Sequence, residues 1–185
     1  ESATGWGGQE IRIFQECKLL LERGHRASIV CRPDSPLGEK CSQFSHLNFN
    51  YFPLPMRRPF SLPTLFSLAR IIKSVQPDIL HSHSSVDSWL VAITGKLLGV
   101  PIVRSRHVNI PMRNHIFNRW LYAKAPKRIL TSGRGIAEMV SERSGLSADK
   151  IISIPAGVDF RIFDYKISGD KIRQELGISS HQPLI

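Results

Sequence analysis

Short apolar segments alternate along this chain with amphipathic stretches of about a dozen residues, and no other feature of the sequence constrains the fold as strongly. The apolar segments predict strands at residues 27–31, 47–52, 77–81, 101–104, 128–131 and 150–154. The amphipathic stretches predict helices at residues 9–23, 62–75, 86–98, 115–125, 135–144 and 170–176. Residues 32–38 (RPDSPLG) predict a loop. Because the connections are short, the chain predicts an α/β fold, a Rossmann-like parallel sheet flanked by helices.

Ligands of such a sheet bind beyond the carboxyl ends of its strands. The segments that follow four of the predicted strands are therefore the candidate binding positions. They are residues 81–85, 104–109, 131–133 and 156–159.

A glycine-rich segment, GWGGQE at residues 5–10, stands just before the first predicted helix. Glycines at this position let backbone N–H groups approach an anion, and the helix N-terminus adds partial positive charge. The segment is not a Walker A loop, because no Gly-Lys-Ser/Thr follows it. It is not a dinucleotide fingerprint either, because Glu10 occupies the place of the last glycine. An ordinary glycine turn is the alternative interpretation.

The net charge of +10 is concentrated in two segments that contain no acidic residue. One lies between Glu39 and Asp78, and the other runs from Arg104 to Arg134 with eight basic residues. Such segments favour a partner that carries phosphates, namely a nucleotide, a nucleic acid or an anionic lipid. A solvated basic face is the alternative. No nucleic-acid partner is expected, because the chain lacks interleaved surface aromatics and any known nucleic-acid module.

Five short motifs follow one another in a characteristic order. They are the pair Gly7-Gly8, ERGH at 22–25, PDILHSH at 77–83, GVPIV at 99–103 followed by His107, and IPAGVD at 154–159 followed by Phe163. In this order the motifs resemble the N-terminal domain of retaining GT-B glycosyltransferases of family 4, of the lipopolysaccharide-biosynthesis type. The resemblance spans nearly the whole chain, although each motif alone is weak. At Ala156 the family often has Asn, so a side-chain amide is missing while the backbone turn is kept.

The resemblance implies a domain organisation and an activity. Residues 1–165 would form the Rossmann-like, acceptor-binding N-terminal half of a GT-B fold, with its first strand truncated. Residues 166–185 would be a linker and the start of a missing C-terminal donor-binding domain. The full-length enzyme would transfer a sugar with retention from a nucleotide-sugar donor to a saccharide or lipid-linked acceptor, in lipopolysaccharide or other cell-envelope polysaccharide synthesis. The fragment alone would be inactive. Another GT-B enzyme, a sugar epimerase or an inverting transferase, is the first alternative, and a basic nucleic-acid-binding α/β domain is the second.

The same resemblance implies roles for individual residues. His107 matches the catalytic histidine that reaches the sugar near the scissile bond, and Gly7 and Gly8 match the loop that lies against the donor phosphates. The residues expected to bind substrate are His83, Ser84, Arg104, Arg106, Asn109, Arg113 and Ser132. The arginines among them are candidate clamps for acceptor phosphates. His81 and His83 project to one side of an extended strand end, where they could hold a metal with His107. The family chemistry does not rest on protein-bound metal, so neither a metal nor another cofactor is expected.

Residues 51–73 combine apolar and basic side chains. The apolar ones are Phe52, Met56, Phe60, Leu62, Leu65 and Phe66, and the basic ones are Arg57, Arg58, Arg70 and Lys73. A segment of this composition could lie on an anionic membrane surface, where a lipid-linked acceptor would be found. A core helix with solvated basic residues is the alternative.

Three cysteines, Cys17, Cys31 and Cys41, have neither disulfide-framework nor metal-site spacing. They predict buried thiols in a reducing compartment. The first residues do not have the pattern of a signal peptide, and no apolar run reaches the roughly 20 residues that span a bilayer. The predicted localisation is therefore cytoplasmic, with a peripheral position on the inner face of the cytoplasmic membrane as an open alternative.

Overall fold

A computed structural model describes residues 1–110, 115–160, 163–164 and 166–183. The chain divides into two compact units, residues 1–155 and residues 156–185. In its described residues the second unit contains one short helix, Asp170–Glu175. The domain boundary expected from the sequence, between residues 165 and 166, falls inside this second unit.

The first unit follows the predicted alternation of strands and helices. Its strands are β1 (Ala27–Cys31), β2 (Phe49–Pro53), β3 (Leu80–Ser82), β4 (Ile102–Arg106), β5 (Arg128–Thr131) and β6 (Ile151–Ser153). Its helices are α1 (Gly8–Glu22), α2 (Pro36–Gln43), α3 (Leu62–Val75), α4 (Ser85–Leu98), α5 (Ile116–Arg119) and α6 (Arg134–Ser144). Residues Trp120–Lys124 extend α5 as a π-helix.

All strand pairs in the described residues are parallel. β1 pairs with β2, and β3, β4, β5 and β6 form a four-stranded sheet in chain order. Helices connect consecutive strands, as parallel pairing requires. The predicted α/β fold with parallel sheets flanked by helices is therefore confirmed.

The predicted loop at residues 32–38 is wrong in its second half, where helix α2 begins at Pro36. Ser35 caps this helix, because its hydroxyl oxygen accepts a hydrogen bond from the Gly38 N–H at 3.1 Å. Proline is favourable in the first turn of a helix, where its missing N–H has no intrahelical partner to lose. Leu37 and Cys41 of the same helix are buried, so packing stabilises a helix that the turn-forming residues obscure.

Apolar side chains between the helices and strands form three clusters. The cluster of α1, β1 and α2 includes Cys17, Cys31 and Cys41, all of which are buried free thiols, as predicted. Burial raises the pKa of Cys17 to about 11, so this thiol is not reactive at neutral pH. A second cluster joins α3 and α4 to β4, and a third joins the π-helix and α6 to β5. These clusters fix the helices against the strand ends.

Helix α4 lies unusually close to the strands that precede and follow it. A Cβ atom added to Gly95 would lie 2.8 Å from Ile102 Cδ1 and 3.0 Å from Leu80 Cδ1. Only glycine therefore fits at this contact without displacing both side chains. The close contact fixes the C-terminal half of α4 against the amino ends of β3 and β4.

The apolar residues of segment 51–73 divide into two groups. Met56 is buried, and Phe52 and Leu65 are half-buried, as the alternative of a segment packed in the core expects for these three side chains. Phe60, Leu62 and Phe66 are exposed. None of the helices in the described residues combines the length and the apolar character needed to cross a bilayer.

Candidate active site

A pocket of about 260 Å³ opens at the carboxyl ends of β3 and β4. This is the end of a parallel sheet where ligands are expected. The lining residues come from the start of α1, the β3–α4 junction, β4 and the π-helix. They are Gln9, His83, Ser84, Ser85, Arg104, Ser105, Arg106, His107, Val108 and Tyr122. None of these ten side chains carries a negative charge.

Three histidine rings lie next to one another at this pocket. The ring centroids of His81 and His83 are 4.1 Å apart, and the rings of His83 and His107 are stacked with centroids 5.6 Å apart. His83 Nδ1 lies 3.3 Å from His107 Nε2, within hydrogen-bond distance. The Nε2 atom of His81 instead bonds the Ser105 hydroxyl at 2.8 Å. In the described residues, no group of three or more His, Cys, Asp or Glu side chains is arranged to hold a metal ion.

The surroundings keep these imidazoles neutral. Burial, together with the adjacent His81 ring, lowers the pKa of His83 well below 6.5. Burial also lowers the pKa of His107, and the charge of Arg12 adds to this effect. A neutral imidazole carries one N–H donor and one nitrogen acceptor, so the His83–His107 contact is a hydrogen bond between two neutral rings.

Asp87 holds the backbone at the start of α4. This carboxylate is fully buried and accepts hydrogen bonds from the backbone N–H groups of His83 at 2.8 Å and Ser84 at 3.2 Å. The Ser2 hydroxyl donates a third hydrogen bond to Asp87 at 3.1 Å. Because the carboxylate stabilises the helix N-terminus, it also fixes the orientation of the two pocket residues that precede α4.

The glycine pair, Gly7 and Gly8, directly precedes Gln9, which lines the pocket. The side-chain amide of Gln9 donates a hydrogen bond to the Ser84 hydroxyl at 2.9 Å, which joins the start of α1 to the start of α4. A Cβ atom on Gly8 would meet nothing within 4 Å, and one on Gly7 would meet only Glu10 Oε2, at 3.5 Å. Neither glycine has a positive φ. Packing and backbone conformation therefore do not require glycine at these two positions.

Two arginines of β4 share one phenol oxygen. Tyr122 is buried in the π-helix, and its oxygen accepts hydrogen bonds from Arg104 Nη2 at 2.9 Å and Arg106 Nη1 at 2.5 Å. The Arg104 guanidinium also lies over the tyrosine ring, 3.9 Å from its centroid. A second N–H of Arg106 donates to the backbone oxygen of Ile110. The tyrosine thus orients both guanidinium groups.

Most of the residues predicted to bind substrate come together at this pocket. His83, Ser84, Arg104, Arg106 and His107 all line it. Outside the lining, the Ser132 hydroxyl supports the pocket wall by donating to the backbone oxygen of His107 at 3.3 Å. Asn109 is exposed and does not line the pocket. Arg113 lies outside the described residues.

Sequence reasoning missed other lining residues, chiefly Gln9 and Tyr122. Gln9 directly follows the glycine pair, and this adjacency is a signal that could have identified it. Tyr122 reaches the pocket from another element, across a sequence separation of 18 residues from Arg104. Only the tertiary structure reveals that contact.

Comparisons with known proteins identify the family of the chain. The sequence profile of Glycosyltransferase Family 4 matches residues 6–161, most of the chain. The chain belongs to glycosyltransferase family 4. This confirms the family that the five motifs predicted.

Individual relatives of this family 4 chain share its fold over about half of their own length. A galactosyltransferase of Escherichia coli, named UDP-Gal:alpha-D-GlcNAc-diphosphoundecaprenol alpha-1,3-galactosyltransferase, is 26% identical over 183 residues, which cover 92% of this chain and 46% of the relative. A glycosyltransferase structure from Rickettsia africae superposes with a TM-score of 0.79 at 19% identity, covering 98% of this chain and 50% of the other. The Anabaena protein HepE, solved with UDP-glucose, gives a TM-score of 0.70 at 16% identity, covering 96% and 48%.

Proposed function

We propose that this family 4 chain is the N-terminal, acceptor-binding half of an enzyme that transfers a sugar from a nucleotide-sugar donor to a saccharide or lipid-linked acceptor, in cell-envelope polysaccharide or lipopolysaccharide synthesis. The observation that carries the proposal is the convergence of His107 and the two β4 arginines at one pocket, which Gln9, the residue directly after the glycine pair, also lines. The UDP-glucose complex of HepE supports a nucleotide sugar as the donor class. The name of the Escherichia coli relative supports a lipid-linked acceptor.

Transfer with retention needs no carboxylate nucleophile from this pocket. Retaining glycosidases use two carboxyl groups about 5–5.5 Å apart, whereas the ten lining residues here contain none. In the proposed reaction the acceptor oxygen attacks the anomeric carbon on the face that the diphosphate leaves. The bond from that carbon to the phosphate oxygen breaks, and the departing phosphate takes the acceptor proton. The pocket residues bind and orient the reacting groups while charge develops on the phosphate.

His107 is the residue we place at the reaction centre. Its Nε2 atom faces His83 at 3.3 Å, so the ring is held in one orientation. Nδ1 is then the nitrogen that remains for a hydroxyl of the transferred sugar. Because the imidazole is neutral, it contributes a directed hydrogen bond without adding a charge to the site.

The glycine pair is the proposed contact for the donor phosphates. The N–H of Gly7 is already bonded to Glu10 Oε2 at 2.8 Å, so a phosphate would meet the backbone at Gly8. Because Gly8 has no side chain, a phosphate could approach its backbone closely. The packing of the chain does not itself require glycine at this position. The helix dipole of α1 adds partial positive charge at the same place.

The acceptor would bind between the β3–α4 junction and the end of β4. His83 and Ser84 offer polar atoms on one side of the pocket, and Arg104 and Arg106 offer positive charge on the other. Ser132 bonds the backbone of His107 and Asn109 is exposed two residues further along the chain, so these two residues would take part only in binding a larger acceptor.

A membrane surface is the proposed location of a lipid-linked acceptor. Phe60, Leu62 and Phe66 are exposed near the start of α3, and Arg57 and Arg58 lie in the segment just before it. Exposed aromatic and aliphatic residues beside arginines suit the interface of an anionic leaflet. The protein would then be cytoplasmic and peripheral on the inner face of the membrane.

The test is a transfer assay on the intact protein with UDP-, GDP- and ADP-sugars and lipid-linked saccharide acceptors. We expect His107→Ala to lower kcat by about 10²- to 10³-fold, the usual cost of removing one positioned hydrogen-bond group from a reaction centre. The matched control is His115→Ala, because His115 is an exposed histidine outside the pocket lining. Equal kcat values for the two variants would remove His107 from the reaction centre. If the wild type turned over no nucleotide sugar, the proposed activity would be refuted.

A further inference from the structure

The β4 arginines and Tyr122 form a cationic group inside the pocket with no counter-ion among the described residues. We propose that Arg104, Arg106 and Tyr122 form a binding subsite for a phosphate group of the substrate. This inference rests on the proposed function, because it names the chemical group that this pocket recognises. Tyr122 is part of the subsite because its phenol oxygen sets the positions of both guanidinium groups.

Arg104 is the main evidence. Only 6% of this residue is exposed, and its Nε and Nη1 atoms are shielded from solvent without a hydrogen-bond partner in the described chain. Leaving a buried guanidinium unpaired costs free energy, because lost hydration is not replaced. The phenol of Tyr122 satisfies only one N–H group, so the part of the chain that the structure describes does not compensate this cost.

Arg106 adds a second positive charge next to the first. Its Nη1 atom bonds the same phenol oxygen, and its Nε atom also lacks a partner in the described residues. No carboxylate in the described part of the chain lies within 4.0 Å of either guanidinium. The oxygens of Asp87, a buried acid, are bonded at the start of α4. Two cations therefore share one neutral oxygen, and an anion between them would relieve their repulsion.

A phosphate group fits this arrangement better than a single carboxylate. It offers several oxygens and up to two negative charges, and two guanidinium forks can each donate paired hydrogen bonds to it. Of the lining serines, Ser85 offers a further hydroxyl, whereas the Ser84 hydroxyl already donates to Glu1 and the Ser105 hydroxyl bonds His81. The phosphate could belong to the acceptor or to the diphosphate of the donor.

The experiment measures binding of inorganic phosphate to the intact protein by titration calorimetry. We expect saturable binding to the wild type and at least tenfold weaker binding after Arg104→Gln or Arg106→Gln. Tyr122→Phe keeps the ring but removes the shared oxygen, so it should weaken binding by a smaller factor. The matched control is Arg128→Gln, because Arg128 is exposed at the amino end of β5, away from the pocket lining. Absence of binding to the wild type, or equal affinity in Arg104→Gln and Arg128→Gln, would overturn the proposal.

Thermal unfolding with and without phosphate separates binding from a structural role. If Arg104 only supported the fold, Arg104→Gln would lower the ligand-free midpoint while phosphate still raised it as in the wild type, and the subsite would be refuted. We expect instead that the phosphate-induced rise disappears. Should Arg104→Gln not fold, Arg106→Gln and Tyr122→Phe decide the question by the same comparison.

Two further measurements identify the source of the phosphate and distinguish a failure of this inference from a failure of the proposed function. Competition between UDP and inorganic phosphate would assign the subsite to the donor diphosphate, and simultaneous binding would assign it to the acceptor. Sugar transfer is measured independently on the same samples. Phosphate binding without any transfer would refute the proposed function and keep the subsite. Normal transfer by an Arg104→Gln variant that also binds phosphate normally would refute the subsite and keep the function.

Discussion

At the scale of single residues, Gly8 is a position where the fold does not require glycine but the approach of a ligand would. It is the first residue of α1, and an added Cβ atom would meet nothing within 4 Å. We therefore expect Gly8→Ala to leave the free energy of unfolding unchanged or to raise it by about 0.4–1 kcal/mol, since alanine restricts the unfolded chain. If the donor phosphates approach this backbone, the same change should lower kcat/KM for the nucleotide sugar by at least tenfold.

Gly5→Ala provides the matched control for this prediction. A Cβ atom on Gly5 also meets nothing within 4 Å, but Gly5 lies before the helix start. Urea unfolding and initial-rate kinetics would be measured on both variants. Equal kinetic constants for Gly5→Ala and Gly8→Ala would contradict a phosphate contact at Gly8.

The sequence was sufficient to predict those site residues that directly follow a strand. His83 and Ser84 follow β3, and Arg106 and His107 stand at the end of β4, so the parallel topology alone brings them together. Tyr122 could not be predicted, because its place depends on how a π-helix packs on the sheet. Local pattern does not encode that packing.

At the scale of elements, α2 shows how a turn-forming composition can conceal a helix. Pro36 and Gly38 both suggest a loop, yet each has a local reason to be in the first turn. Proline fits where no N–H is needed, and a Cβ atom on Gly38 would lie only 2.3 Å from the Arg32 backbone oxygen. Propensity alone therefore gave the wrong element, because the close packing of α2 on the end of β1 decides it.

Helix α3 is the element that we expect to contact the membrane. Leu62 and Phe66 are four residues apart on one helix face and are 66% and 69% exposed. We expect Leu62→Ala/Phe66→Ala to weaken binding to phosphatidylglycerol vesicles by about tenfold or more. Each truncation removes roughly 1 kcal/mol or more of the favourable free energy of transferring an apolar side chain into the membrane. Vesicle co-sedimentation of the intact protein measures this binding.

The control for the α3 prediction is Leu47→Ala. Leu47 is 97% exposed and stands before β2, whereas α3 stands after β2. Leu47→Ala therefore truncates an exposed apolar side chain outside α3. Phosphatidylcholine vesicles test the contribution of charge, since the neighbouring arginines should favour the anionic lipid. If Leu62→Ala/Phe66→Ala and Leu47→Ala bound the anionic vesicles equally, α3 would not be the contact surface.

At the scale of the whole molecule, the order of elements was predictable because each strand and helix has its own period and end signals. Helix α4 (Ser85–Leu98) and strand β5 (Arg128–Thr131) agree closely with their predicted bounds. The division of the strands into a pair and a four-stranded sheet was not predictable, because local pattern does not specify which strands pair. The buried charges of the pocket likewise depend on contacts between distant segments.

The neutral histidines of the pocket predict how the stability of the whole protein depends on pH. His83 and His107 have a lowered pKa in the folded state, while an unfolded histidine titrates near 6.5. Below pH 6.5 the unfolded chain therefore binds more protons than the folded chain, and the free energy of unfolding must fall as the pH falls. Above this pH both states are neutral at these positions and the contribution is fully present. Each such histidine contributes at most about 1.4 kcal/mol per pH unit to the slope.

Urea unfolding between pH 7.5 and 5.5 checks the sign and the origin of this dependence. Over this range most carboxylates remain ionised, so histidines dominate the change. The variant His83→Gln/His107→Gln should have a shallower slope than the wild type, because glutamine does not titrate. His25→Gln/His46→Gln is the control, since both residues are exposed and neither lines the pocket. A slope unchanged by the first pair, or reduced equally by both pairs, would mean that the pocket histidines are not held neutral by the fold.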